Sequence, residues 1–270
     1  MAVVLRSVAL RTEVEVPYAE QGDPSGVPVI LLHGFGDSWR SFERVFPHLP
    51  EFIHAFAFTQ RGHGDAGRPA DGYGIPDFAG DLQAFMDAMD LPPAVVVGHS
   101  MGSAVALRFA IDHMDRALGL VIFGASPDMG GGESARTFWD SVVSKMSDPI
   151  DTSMIRGMTE SMAVKPVPGR FLDAMVEESL KVPASVWRKT FESRWRLEGD
   201  YSGELGRIKI PTLIIRGDQD SRYPRRQQEN LTAAIPGSRL VIYEDSGHML
   251  HWEEPERFAS DVVAFTEELV

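Results

Sequence analysis

Six short runs rich in β-branched and other apolar residues punctuate the chain: VPVILLHG, IHAFAFT, AVVVGHS, LGLVIFG, PTLIIRG and SRLVIYE. Each ends in glycine or polar residues, as buried strands do where they reach the rim of a sheet. Between them, SFERVFPHL, DFAGDLQAFMDAM, GSAVALRFAIDH, RRQQENLTAAI and PERFASDVVAFTEEL carry apolar residues three and four positions apart, the period of a one-faced helix. The alternation predicts an α/β fold, with a mostly parallel, doubly wound sheet and helices on both faces. The first segments, VVLRSVAL and RTEVEVPYAEQ, alternate apolar with polar and predict antiparallel edge strands.

The alternation lapses between about Ser126 and Leu205 and resumes at Ile210. SARTFWDSVVSKM, TSMIRGMTESMA, GRFLDAMVEESL and ASVWRKTFESRWRL, separated by DP, VKPVPG and VPAS breakers, predict short helices there. Six of the twelve methionines and three of the five tryptophans fall in this interval, a larger share than its length. The expected organisation is a core domain from residues 1–125 and 206–270, interrupted by a helical cap of residues 126–205 with an adaptable apolar underside. The same residues would serve equally as that segment's own core.

A chain of 270 residues that is 43% hydrophobic can bury a sizeable core, which excludes disorder as its main state. Its formal charge of -13 repels nucleic acid and anionic lipid, so neither is expected as a partner. There is no cysteine, which excludes disulfides, thiolate catalysis and cysteine-held metals. No apolar run reaches the roughly 18 residues of a membrane span. The amino terminus is interrupted by Arg6, Arg11, Glu13 and Glu15 and does not read as a signal peptide, so residence in the cytoplasm is expected. No metal or cofactor is expected, and nothing in the pattern sets an oligomeric state.

The candidate chemistry begins at Gly98-His99-Ser100-Met101-Gly102, which follows a run of valines and precedes a helix of small residues. In that context G-x-S-x-G reads as a strained strand-to-helix turn that exposes a serine nucleophile. The flanking glycines are expected where a side chain would strike adjacent backbone. A serine hydroxyl needs a base and a group to orient that base. Of eight histidines, His248 follows the last predicted strand in DSGH and so lies at the same sheet edge as Ser100. His33 and His99 are expected to pack or hydrogen-bond beside the site, His63 to pin its own loop, and His251 to be structural. His48, His54 and His113 are expected to be solvated or capping.

PTLIIRG runs directly into Asp218 and Asp220, and either could orient the base. Asp220 lies further into the loop, where it can turn toward His248. Oxyanion donors are expected from the backbone N–H of Met101, at the start of a helix, and of Phe35 in the glycine turn HGFG. Candidate pocket residues are Trp39, Trp139, Met158, Met162 and Trp195.

Together these residues resemble the α/β-hydrolase fold family, in the order Ser100, Asp220, His248. HGFG, QRGHG, GHSMG, GDQDSRYP and DSGHMLHWEEPERF carry the likeness along nearly the whole chain. The resemblance places the acid three residues after the glycine of its turn, which selects Asp220 over Asp218. Departures are Arg222, where the family usually has an apolar residue, and Ser103, where a second glycine is common. The loop after the first oxyanion glycine lacks the GPGA-like sequence of carbon-carbon hydrolases, and serine at position 100 argues against the epoxide hydrolases and haloalkane dehalogenases, which use aspartate.

The resemblance implies a serine hydrolase acting on a small to medium, largely uncharged ester or related acyl compound. Cofactor-free perhydrolase, lactonase, thioesterase, amidase and carbon-carbon hydrolase activities use the same machinery, and cap shape chooses among them. A different class, a slow-turnover ligand receptor that keeps the triad, is the alternative.

Overall fold

Strands β1 (Val4–Ala9), β2 (Glu15–Gln21), β3 (Val27–Leu32), β4 (Ile53–Phe58), β5 (Ala94–His99), β6 (Ala117–Phe123), β7 (Thr212–Gly217) and β8 (Arg239–Tyr243) make one sheet in the order β1-β2-β4-β3-β5-β6-β7-β8. They are seen in a computed structural model that describes residues 2–128, 132–196 and 200–270. β1 pairs with β2, and β2 with β4, in antiparallel fashion; every other pairing is parallel. All residues of β4, β5 and β7 are buried, as continuous apolar runs require when helices cover both faces of a sheet. β1, the edge strand, is exposed at nearly every position.

Side-chain alternation divides the interior into two layers. Ile30, Leu32, Val96, Ile122 and Ile214 face one way and pack with α1 (Ile75–Ala88) and α2 (Met101–Asp112) through Phe78, Phe85, Val105 and Phe109. Val29, Leu31, Val95, Val97, Val121 and Phe123 face the other.

Between β6 and β7 the chain forms α3 (Gly132–Ser141), α4 (Thr152–Glu160), α5 (Gly169–Leu180) and α6 (Ala184–Trp195), with no strand among the described residues. Asp151 starts α4 by accepting the N–H groups of Ser153 and Met154 at 2.7 and 3.1 Å. After β7 come α7 (Arg225–Ala234), the single turn α8 (Leu250–Glu253) and α9 (Pro255–Glu267). Phe258, Val262 and Phe265 of α9 complete the second layer. Among the described residues, no helix is long and apolar enough to cross a membrane.

SFERVFPHL is not the helix its spacing predicts. It breaks into two 3-10 turns, Trp39–Phe42 and Phe46–His48. Pro47 has no N–H to continue a helical ladder, yet Phe42, Val45 and Phe46 are fully buried in the α9-side layer. The apolar spacing therefore reported burial correctly and conformation incorrectly.

Strand order decides where a ligand can sit. From β3 the chain crosses to β4 on one side, and from β4 it returns past β3 to β5 on the other. Loops leaving the carboxyl ends of β3 and β5 thus diverge, opening a crevice at that point of the sheet. HGFG and GHSMG are those two loops.

Candidate active site

Ser100 joins β5 to α2 with φ 52° and ψ −111°, a left-handed conformation that costs a non-glycine residue energy. The turn is held by Ser100 N–H donating to Phe123 O at 2.9 Å, and by Ser103 N–H donating back to Ser100 O at 3.0 Å. A Cβ on Gly98 would lie 2.4 Å from Gly102 O, and one on Gly102 would lie 2.2 Å from Leu32 O. Both flanking glycines are thus sterically required. Ser103 does more than tolerate its place in the helix: its hydroxyl lies between Gly98 O and Phe123 O, 2.8 Å from the latter, and accepts Phe123 N–H at 3.2 Å, tying the ends of β5 and β6.

His248 and Asp220 meet beside this turn. His248 Nδ1 lies 3.0 Å from Asp220 Oδ2, and both side chains are buried. Asp220 Oδ1 accepts the N–H groups of Arg222 and Tyr223 at 2.8 and 3.2 Å. Burial pushes its pKa up, but His248 and these donors outweigh that effect and hold the carboxyl below its ordinary range. Asp218 is exposed, so of the two acids it is Asp220 that reaches the histidine. The α4–α5 connection braces the His248 loop: Met162 O accepts His248 N–H at 3.0 Å, and Glu253 bridges Val164 N–H and Gly247 N–H.

The turn after β3 packs directly on the serine, since a Cβ on Gly34 would lie 2.8 Å from His99 Nδ1 and 3.3 Å from Ser100 Cβ. Phe35 follows in a turn closed by Asp37 N–H donating to Gly34 O at 3.2 Å. Met101 opens α2, and its own N–H, at the very start of the helix, has no preceding helical carbonyl to bind. His33 stiffens this corner. Its Nδ1 donates to Gly34 O at 2.8 Å and its Nε2 accepts Gln60 N–H at 2.9 Å, which requires a neutral ring. Burial agrees, lowering its pKa to about 3.

The other histidines are accounted for without chemistry. His63 donates to Arg61 O at 2.8 Å, His99 to His248 O at 3.1 Å, and His251 Nε2 meets Ser41 Oγ at 3.0 Å. Burial keeps all three below the ordinary histidine pKa. His48 is exposed and His113 ends α2. His54 departs from expectation: it is buried, with Nε2 2.9 Å from Glu20 Oε1.

Ser100 and His248 face an open chamber of about 320 Å³. Met158 and Met162 line it, as expected. Trp39 and Trp139 do not: Trp39 packs against the α9-side layer, and Trp139, on α3, against the apolar cluster that runs from the α1/α2 layer into the segment between β6 and β7. Their places follow from contacts with distant segments, which local sequence does not express. The Trp195 side chain lies outside the described residues. The aromatic wall comes instead from Phe35, Trp187, Phe191 and Tyr223, with the Trp187 and Phe191 rings stacked at 5.7 Å and Tyr223 stacked on His248. Arg222 sits on the chamber wall and reaches Ser161 Oγ at 3.3 Å.

Two residues were not legible as part of the site. Gly124, at φ 59°, leaves room for the base, because a Cβ there would lie 2.6 Å from His248 Cε1. Its position at the end of the LGLVIFG run was the available signal. Asp37 borders the chamber, fully buried, and accepts the Ser41 hydroxyl at 3.0 Å. Burial raises its pKa to about 8, aided by nearby Glu178 and opposed by the Ser41 hydrogen bond. Nothing in DSW marks this. Among the described residues, no cluster of three or more histidines and carboxylates forms a metal site.

A crevice at the carboxyl edge of a doubly wound sheet, where a strained serine and a carboxylate-bound histidine line one chamber, defines a class of α/β hydrolases. The model of the alpha/beta hydrolase family matches residues 29–262, and the chain belongs to that family. It is 28% identical over 268 residues to the AB hydrolase superfamily protein YisY of Bacillus subtilis, covering 95% of this chain and 98% of that one. It is 26% identical over 274 residues to the non-heme chloroperoxidase CPO-A1 of Kitasatospora aureofaciens, covering 94% and 97%. An esterase from Exiguobacterium antarcticum shares the fold with a TM-score of 0.88 at 23% identity, over 98% of this chain and 100% of that one.

Proposed function

We propose that the protein is a serine hydrolase that cleaves a small to medium, largely uncharged ester or related acyl compound through an acyl-enzyme on Ser100. The observation that carries this reading is the buried Asp220–His248 pair facing the same chamber as a serine held in a strained turn. His248 Nε2 takes the Ser100 proton as the hydroxyl attacks the substrate carbonyl. Asp220, ionised by the shift described above, stabilises the imidazolium and fixes Nδ1 as the protonated nitrogen. Phe35 and Met101 N–H groups receive the oxyanion, an interaction worth about 3 kcal/mol for each well-placed donor. His248 then protonates the leaving alcohol and activates water to release the acid.

Residues 126–205 act as a cap over this machinery, and their contribution of Met158, Met162, Trp187 and Phe191 to the chamber supports that role. The aromatic and methionine wall suits an uncharged substrate. Labelling with a fluorophosphonate probe tests the nucleophile: the adduct is expected on Ser100 at one equivalent per chain and absent from Ser100→Ala. Adduct formation elsewhere would contradict the reading.

The likeness to a non-heme chloroperoxidase favours a second reading on the same acyl-enzyme, in which hydrogen peroxide replaces water and a peracid is released. Peracid formation from acetate and peroxide distinguishes the two.

A further inference from the structure

The chamber that Ser100 and His248 share is not apolar throughout. Part of its wall is made by Asp37, from the turn after β3, and by Ser179, from α5. Both are buried, at 5% and 8% exposure. They come together because Gly36, at φ 86°, carries no side chain: a Cβ there would lie 2.8 Å from Ser179 Oγ. Ser179 is thus seated against the residue immediately before Asp37, and the two share one corner of the wall.

Asp37 Oδ2 accepts the Ser41 hydroxyl, and Ser41 Oγ has Trp252 Nε1 and His251 Nε2 each at 3.0 Å. Ser41 holds a single proton, so giving it to Asp37 leaves Trp252 and His251 as donors and Ser41 Oγ fully engaged. A proton held by Asp37 therefore sits on Oδ1, which has no hydrogen-bond partner among the described residues and belongs to a side chain on the chamber wall. Ser179 Oγ has none either, although serine in a helix commonly bonds the carbonyl one turn back. No lysine or arginine pairs with Asp37 among the described residues; Lys181 and Arg40 go instead to neighbouring Glu178, at 2.9 and 3.7 Å. Burial, with Glu178 nearby, outweighs the Ser41 hydrogen bond and keeps the carboxyl protonated up to its pKa of about 8.

We infer that Asp37 and Ser179 bind an oxygen function of the substrate, a ketone or ether placed away from the reacting carbonyl, with both side chains as hydrogen-bond donors. This rests on the acyl-enzyme reading only in taking the chamber as the substrate site. At about 320 Å³ the chamber has room for such a group beside the reacting centre. A plain alkyl chain in the same place leaves a carboxyl and a hydroxyl desolvated and unpaired, and a site built to hydrogen-bond its ligand discriminates against the analogue that cannot do so. An ionised Asp37 cannot donate and repels the same lone pairs, so the preference is confined to the pH range in which the carboxyl holds its proton. Of the groups around Asp37, Glu178 is ion-paired and burial keeps His251 neutral, while His248, elsewhere on the chamber wall, acts alike on both members of a matched ligand pair.

The test uses matched amides in which one member carries a ketone, titrated calorimetrically into Ser100→Ala, where no turnover is needed. N-methyl-4-oxohexanamide and N-methyl-5-oxohexanamide are compared with N-methylhexanamide, and N-(4-oxohexyl)acetamide and N-(5-oxohexyl)acetamide with N-hexylacetamide, so that the oxygen is offered on either side of the amide. At about pH 6.5 at least one oxo compound is expected to bind about tenfold tighter than its parent, the effect of one or two net hydrogen bonds. At about pH 9.5 that preference should fall below about twofold, because Asp37 has lost its proton. Adding Asp37→Asn, whose amide can both accept the Ser41 hydroxyl and donate to the chamber, should keep the preference at both pH values. Adding Asp37→Leu should abolish it at both, and adding Ser179→Ala should weaken it. Equal binding within every pair at the lower pH, or an Asp37→Asn protein that loses the preference at the higher pH, would overturn the inference; the second comparison decides even if Asp37→Leu does not fold. Binding preference without ester turnover by the wild type would support the corner's selectivity and overturn the hydrolase reading instead.

Discussion

His248 Nδ1 stands 3.0 Å from Asp220 Oδ2, although the two residues are 28 positions apart and belong to loops after different strands. Pairing of β7 with β8 brings these loops together, and the two N–H groups on Asp220 Oδ1 hold the carboxylate in place. Asp220→Asn keeps the shape while removing the charge that favours imidazolium and the protonated Nδ1. The expected result is a fall in kcat of about ten-thousandfold with KM little changed, read from ester hydrolysis. The same pair contributes to stability. Because the folded pKa of Asp220 is depressed, this contribution is present above the ordinary carboxylate range and is lost as pH falls through the folded value. The Tm of the wild type should therefore decline more steeply below about pH 4 than that of Asp220→Asn.

Gly124→Ala should impair catalysis without removing any reacting group. The new Cβ would stand 2.6 Å from His248 Cε1 at a position with φ 59°, so either the ring or the backbone must shift. An ångström of displacement at the base is enough for a loss of roughly a hundredfold in kcat. The measurement is kcat against KM alongside circular dichroism, with kcat lowered in a folded protein.

At the elbow the steric demand is harsher. Gly102→Ala would place a methyl 2.2 Å from Leu32 O, a backbone atom in a central strand that cannot turn aside. Destabilisation of more than about 3 kcal/mol is expected by urea denaturation, at the upper end of overpacking costs.

Much of this site was legible because its parts lie in short motifs at strand ends, where one stretch of sequence carries both strand and functional loop. GHSMG, Asp220 and His248 are such cases. What was not legible depends on contacts between distant segments. SFERVFPHL shows helical spacing, but Pro47 and burial against α9 select 3-10 turns. His54 looks like an ordinary polar residue until the β2–β4 pairing brings Glu20 beside it. Trp39 and Trp139 are wall candidates as large apolar groups expected near the elbow, whereas Phe35, Trp187, Phe191 and Tyr223 form the aromatic wall, because side-chain direction decides lining and residue type does not.

Asp37 supplies a pH signature of that hidden kind. Its folded pKa of about 8 lies above the ordinary aspartate value, so the folded state holds the proton more tightly than the unfolded state. The stability it contributes when protonated is complete below about pH 4 and is lost progressively as pH rises to the folded value. Asp37→Asn, which can still accept the Ser41 hydroxyl, should match the wild type near pH 4. Its Tm advantage should grow to several degrees by about pH 8 and then level off, as followed by thermal melts across that range.

The most direct test of the central claim is the steady-state hydrolysis of p-nitrophenyl esters by Ser100→Ala, with Tm and circular dichroism confirming that the variant is folded. A loss of at least about a thousandfold in kcat is expected. A folded Ser100→Ala that retained turnover within tenfold of the wild type would contradict it.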